Sequence, residues 1–195
     1  MFTGPTGCGK THILKKLLRS GGCLGGKPAL LVLHTSTSGG RAEYSEVPFQ
    51  VGECTPEALQ TTLSQIYSFA GEALDRGIKP PRTLVVVDDP IGKLELGKRD
   101  GYLASIASDI RKNNCTLLIM VQRFNIPATT IRDNTQMVVM WSPSDEQTEE
   151  VHGRSSSRVP RETFLRVCRE HCNKPHAAIA VRMDYSEGEK NYILA

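Results

Sequence analysis

Eight residues, Gly4-Pro5-Thr6-Gly7-Cys8-Gly9-Lys10-Thr11, follow the pattern G-x-x-x-x-G-K-[ST]. Their chemistry is that of a phosphate cradle. The glycines let backbone N–H groups curl round an anion, a lysine reaches the β/γ oxygens, and the final hydroxyl ligates Mg²⁺. Lys10 and Thr11 take those last two roles. Gly4, Pro5, Thr6, Gly7, Cys8 and Gly9, with His12 beside them, are the other residues expected to contact nucleotide. The expected ligands are therefore ATP and Mg²⁺. Cys8 is a small filler whose place by a helix N-terminus exposes it to alkylation.

Two further groups complete the chemistry. Four apolar residues run into a pair of acids in Leu84-Val85-Val86-Val87-Asp88-Asp89. A buried strand of this kind delivers a carboxylate to the sheet edge, where it holds Mg²⁺. Asp88 is assigned to the metal and Asp89 to the general base that polarises the attacking water. Gln122 ends the next apolar run, Cys115–Val121, and is placed to sense the γ-phosphate or orient the water.

These residues need elements to position them. His12 to Leu18 carries apolar residues at helical spacing, so an anion in the loop would sit on a helix N-terminus. Pro28–His34, Thr83–Asp89, Cys115–Gln122 and Gln136–Trp141 read as buried strands, and Tyr44–Val51 as an edge strand. Thr55-Pro56-Glu57 opens a helix bearing Leu59, Leu63, Ile66, Phe69 and Leu74. Tyr102–Asn113, Ser144–His152 and Pro160–Cys172 read as helices, and Ile126–Asn134 as a loop. Ala177–Met183 and Asn191–Leu194 pair as a terminal hairpin about Glu187-Gly188-Glu189. Strands alternating with helices give an α/β fold with a mostly parallel sheet flanked by helices.

Only Met1-Phe2-Thr3 precede the loop, fewer than the ~5–6 residues of an ordinary strand. Either the first strand is a stub or residues that belong before it are missing from the chain; the second is the expectation. The 195 residues are read as a single domain, with a core over 1–142 and C-terminal helices and hairpin over 143–195.

Bulk properties narrow the class. With 39% hydrophobic and 23% charged residues, the composition is that of an ordinary globular protein. The net charge of +3 permits a nucleic-acid partner without requiring one. No apolar stretch approaches the ~20 residues of a membrane span, and the first residues do not follow a signal-peptide pattern. Six cysteines without such a signal are read as reduced thiols, which implies an intracellular, soluble protein. Cys168, His171 and Cys172 share a helical face near His176; zinc there is the lesser reading, buried thiols the greater.

With those motifs in place, the chain resembles the genome-packaging ATPases of the FtsK–HerA superfamily, in particular the poxvirus-type ATPase of large DNA viruses. The resemblance spans roughly residues 2 to 141. It rests on the phosphate loop, Leu84–Asp89, Ile110-Arg111-Lys112-Asn113-Asn114, Leu117–Gln122 and Ile126–Asn134. It implies a RecA-like ATPase that assembles as a homo-oligomeric ring. Such a ring drives double-stranded DNA through viral capsid vertex proteins, at an assembly site in the host cytoplasm or nucleus or on the virion.

It also implies an arginine supplied across the subunit interface, with Arg111 and Arg132 as candidates and Arg123 a third. The family's histidine after Arg111 is Lys112 here.

Translocation without sequence preference needs phosphate contacts. The basic clusters Lys93, Lys98, Arg99 and Arg154, Arg158, Arg161 are candidates, though ordinary solvated loops are the plainer reading. Another P-loop ATPase, a helicase or AAA+-type remodeller, and a nucleotide-binding scaffold without turnover are the alternatives.

Overall fold

A computed structural model describes residues 1–20, 30–35, 44, 50–90, 94, 96–98, 101–107, 110–155, 159–183 and 192–194. They form two compact units, one of Met1–Lys10 with Val121–Ala195, the other of Thr11–Met120.

The second unit begins in helix α1 (Lys10–Ser20) and centres on parallel strands. These are β2 (Leu30–Thr35), β3 (Gln50–Glu53), β4 (Thr83–Asp88) and β5 (Cys115–Val121), in the order β3-β2-β4-β5. Val32 pairs with Val85, and Val85 with Leu117. Continuous apolar runs are what such strands require, and Thr83 through Val87 are all buried.

Helix α2 (Pro56–Asp75) starts where Thr55 caps it: its hydroxyl accepts from the Ala58 N–H at 3.2 Å, with Pro56 at the first helical position. Its inner stripe is Leu59, Leu63, Ile66 and Ala70, while Phe69 and Leu74 are 61% and 55% exposed. At about 100° per residue Phe69 falls about 90° off the centre of that stripe, which places it outside the buried face.

The expected helix over 102–113 is also different. It is a short helix α3 (Tyr102–Ile106) followed by a separate 3-10 turn, Ile110–Asn113. Asn114 then adopts a positive φ of 51° and donates through its side-chain amide to the Pro80 carbonyl at 2.8 Å, turning the chain into β5.

The first unit holds β1 (Phe2–Thr3), α4 (Thr129–Asp133), β6 (Met137–Trp141), α5 (Asp145–Arg154), α6 (Arg161–Cys172), β7 (Ala178–Arg182) and β8 (Tyr192–Leu194). The strand order is β1-β6-β7-β8. The two-residue β1 runs parallel to β6, with Phe2 opposite Val139 and Thr3 opposite Met140. Its pairing extends to Met1, whose carbonyl accepts from the Val139 N–H at 2.8 Å. β6, β7 and β8 are antiparallel, which is the expected terminal hairpin; its turn at 187–189 lies outside the described residues.

The stretch read as a loop over 126–134 contains α4, a single turn and a half entered from Pro127-Ala128. Ser144 caps α5 by accepting from the Gln147 N–H at 3.2 Å. Phe2 and the buried Trp141 pack edge to face with ring centroids 5.3 Å apart.

The expected edge strand over 44–51 is β3, which begins at Gln50; Tyr44 sits in a turn, and 45–49 lie outside the described residues. The result is an α/β fold with a mostly parallel sheet flanked by helices.

Candidate functional site

The phosphate loop leaves β1 at Gly4, whose N–H donates to the carbonyl of Val121 at 3.2 Å. A side chain there has no room. A Cβ on Gly4 would lie 2.8 Å from the Trp141 Cβ and 2.9 Å from the Cys8 Sγ, so this glycine lets the loop pass against the end of β6. Gly9 has a φ of 107°, a conformation that L side chains rarely adopt, and it brings the chain round into α1.

Lys10 then folds back over the loop. Its ammonium donates to the carbonyls of Gly4 at 2.6 Å and Pro5 at 2.9 Å, with the Cys8 sulfur 3.8 Å away. The positive charge is thus gathered at the N-terminus of an eleven-residue helix with no acid in its first turn. Both features favour an anion.

Thr11, next on the helix, is half-buried; His12 points to solvent. Pro5, Thr6 and Gly7 are exposed, as a ligand-facing lip must be.

The loop has a neighbour that its own sequence does not announce. His176, before β7, has a φ of 61° and its Nδ1 lies 3.3 Å from the Cys8 carbonyl oxygen. A Cβ on Gly9 would come within 3.3 Å of that same nitrogen. His176 therefore braces the phosphate loop from 168 residues away.

Gln122 directly follows β5 and is half-buried. Arg123 is exposed. Arg132, on α4, is only 12% exposed and is bound within its own chain. It donates to Glu150 and to the Thr129 hydroxyl at 3.3 Å, and lies 5.9 Å from the centroid of the buried Phe124 ring. Burial, and then the Arg154 cation, push its pKa down.

In the second unit, β4 ends on Asp88 and the chain turns sharply at Asp89, which adopts a positive φ of 46°. Aspartate tolerates that region better than most residues. The Asp89 N–H donates to the Met120 carbonyl at 3.1 Å, which fixes the turn against β5.

Asp88 accepts a 2.8 Å hydrogen bond at Oδ2 from the hydroxyl of Tyr44, a contact across 44 residues that no local pattern signals. Arg111 lies on the 3-10 turn, and its side chain is outside what the structure describes.

Thr11 and Asp88 are hard oxygen donors, few in number, and that fits Mg²⁺, which takes one or two protein ligands and completes its shell with phosphates and water. Among the described residues no group of three or more His, Cys, Asp or Glu side chains is placed to hold a metal. Cys168 and Cys172 are buried on α6, where burial pushes the Cys168 thiol up to about 12, while His171 bonds the Ala178 carbonyl through Nε2 at 3.2 Å.

Of the candidate basic contacts, Arg154 and Arg161 are paired and Lys98 is exposed. Arg154 pairs with Asp133 and Glu150, and Arg161 with Glu149; Lys93, Arg99 and Arg158 lie outside the described residues.

No family model matches the sequence, and no curated protein matches it. Solved structures do. The genome packaging NTPase B204 of Sulfolobus turreted icosahedral virus 2, in complex with ATP-gammaS, is similar at a TM-score of 0.61 and 11% identity. The match covers 93% of this chain and 90% of that one.

EssC (ATPases 2 and 3) from Geobacillus thermodenitrificans is similar at a TM-score of 0.64 and 12% identity, over 99% of this chain and 38% of that one. The cytoplasmic domain of the Type VII secretion ATPase EccC of Thermomonospora curvata gives 0.56 at 16% identity, over 84% and 21%.

The chain has the RecA-like P-loop NTPase fold. In that fold the phosphate loop belongs between a strand and a helix, and Gly4–Gly9 lies between β1 and α1. No described helix is long and apolar enough to cross a membrane.

Proposed function

We propose that this chain is an ATPase motor that translocates double-stranded viral DNA into a capsid, of the FtsK–HerA superfamily and nearest the poxvirus-type packaging ATPases. The observation that carries the reading is the Lys10 ammonium gathered over Gly4 and Pro5 at the N-terminus of α1. That arrangement is built for polyphosphate. The likeness to a packaging NTPase over nearly the whole of both chains supports the choice of motor.

In this reading Lys10 leaves the loop carbonyls and neutralises the β/γ oxygens. Thr11 and Asp88 would hold Mg²⁺, which when bound offsets phosphate charge. Asp89 accepts the proton of the water that attacks the γ-phosphorus, and Gln122 orients that water. The bond from the γ-phosphorus to the bridging oxygen breaks, and ADP leaves with that oxygen.

An arginine from a neighbouring subunit, Arg111 or Arg132, would offset transition-state charge, an effect worth ~10³–10⁵ in rate where it has been measured. Of the two, Arg132 would first have to release Glu150. The chain acts as a homo-oligomeric ring at a viral assembly site inside the host cell, against capsid vertex proteins.

A second reading has its own support. The likeness to the Type VII secretion ATPase EccC favours a P-loop ATPase that serves secretion rather than genome packaging. Phosphate release from ATP, measured with and without linear double-stranded DNA and paired with the mass of the assembled species, separates the two. DNA-stimulated turnover by a ring supports packaging. A DNA-indifferent ATPase favours the second reading, and a monomer that binds ATP without turnover would contradict both.

A further inference from the structure

Tyr44 is fully buried, and its hydroxyl donates to a carboxylate. The O–H donates to Asp88 Oδ2 at 2.8 Å, at the point where β4 leaves the core and the acid becomes half-buried. Hydrogen bonds to an ionised acceptor are among the strong ones, and they fix direction as well as energy. The Lys15 ammonium lies over the same ring, 5.6 Å from its centroid, within cation–π range.

Lys15 belongs to α1, the helix that the phosphate loop opens, so one aromatic ring links that helix to the acid at the end of β4. The cation draws on the ring's π density and makes the phenol a better donor. Carboxylates that ligate metals are themselves usually hydrogen-bonded, and those outer partners set the ligand's orientation.

From this geometry we infer that Tyr44 is a positioning residue for the Mg²⁺ carboxylate: it holds Asp88 in the rotamer from which the acid meets the metal, and Lys15 holds Tyr44. The inference rests on the assignment of Asp88 to Mg²⁺. A buried tyrosine that only packs would serve equally well as phenylalanine. A positioning tyrosine would not.

The test is a calorimetric titration of ADP into wild type, Tyr44→Phe and Asp88→Asn, in EDTA and across a Mg²⁺ series, with thermal melts in EDTA as the fold control. For Tyr44→Phe the Mg²⁺ concentration that gives half of the metal-dependent gain in ADP affinity should rise about 10–100-fold, the usual consequence of losing such a partner. ADP affinity in EDTA should stay as in wild type.

A Tyr44→Phe protein that follows the wild-type Mg²⁺ curve, or that loses ADP affinity equally with and without metal, would overturn the inference. If Asp88→Asn itself keeps the wild-type Mg²⁺ curve, the assignment of Asp88 fails instead, and the inference with it. Should Tyr44→Phe not fold, Lys15→Met carries the test. A shift of its Mg²⁺ curve in the same direction by a smaller factor supports the chain of contacts, and an unmoved curve overturns it.

Discussion

The Lys10 ammonium lies 2.6 Å from the carbonyl oxygen of Gly4, six residues upstream in the same loop. The cation that the proposed function assigns to polyphosphate is held over its own backbone, so on that reading binding exchanges two carbonyls for phosphate oxygens. Lys10→Met should therefore leave the empty protein folded and weaken ATP binding about 10–100-fold, the loss of a hydrogen bond to a charged group. Gly4→Ala should act differently, because its Cβ meets Trp141 at 2.8 Å. Crowding of that kind costs about 1–3 kcal/mol of stability. Calorimetry for the first variant and a denaturant melt for the second check the pair.

His176 offers a test of how the loop keeps its shape. Its Nδ1 lies 3.3 Å from the Cys8 carbonyl, and the residue is exposed, so the bond sits at the weak end. His176→Ala should cost about 0.5 kcal/mol of stability while raising the KM for ATP more than it lowers kcat. Gly9→Ala should cost more, and removing His176 in the same chain should not restore it, because the φ of 107° remains unsuitable for alanine whatever the space. Full recovery in the double variant would mean that crowding alone matters there.

Buried thiols set an alkaline limit. Burial pushes Cys115 and Cys168 each from the ordinary 9.0 up to about 12. Their folded-state pKa lies above the unfolded value, so the stability they contribute is complete below pH 9 and is lost as pH rises toward 12. In that window each thiol should remove up to about 1.4 kcal/mol per pH unit. Melting temperature measured from pH 8 upward should fall, and Cys115→Ala should flatten the slope. Below pH 9 the same thiols should resist alkylation, while Cys8 reacts ahead of them and nucleotide protects it.

The arginine that acts in trans can be found by mixing. Arg111→Ala subunits combined with Asp89→Ala subunits should recover part of the ATPase, since some interfaces then contain both groups; the same mixture with Arg132→Ala tests the other candidate. Glu150→Gln adds a control, because it removes the carboxylate that pairs with Arg132. An unchanged rate for Glu150→Gln together with rescue by the Arg111 mixture assigns the role to Arg111. No rescue at any ratio, for either arginine, would contradict a ring with shared sites.

What was legible in the sequence was local. The phosphate loop, the Thr55 cap with Pro56, the apolar run into Asp88 and the strand before Gln122 each occupy a few consecutive residues, and each stands where its pattern predicts. The short α3 and the 3-10 turn were not legible, because the apolar spacing over 102–113 fits one helix as well as two pieces, and the turn at Asn114 is held by tertiary bonds to Pro80 and Thr83. The direction of Phe69 was not legible either, because apolarity is no record of direction; the stripe through Leu59 and Ala70 leaves it outside. Tyr44 and His176 were beyond reach for a simpler reason. Their partners lie 44 and 168 residues away, and nothing in either neighbourhood encodes the pairing.

The central claim is that Lys10 and its loop bind and split ATP. The measurement that bears on it most directly is phosphate release from ATP with Mg²⁺ by the wild-type protein and by Lys10→Ala, on samples matched for melting temperature. The account predicts steady turnover by the wild type and loss of at least about 10²-fold in the variant, as for other groups that stabilise transition-state charge. Equal rates in the two proteins would contradict it.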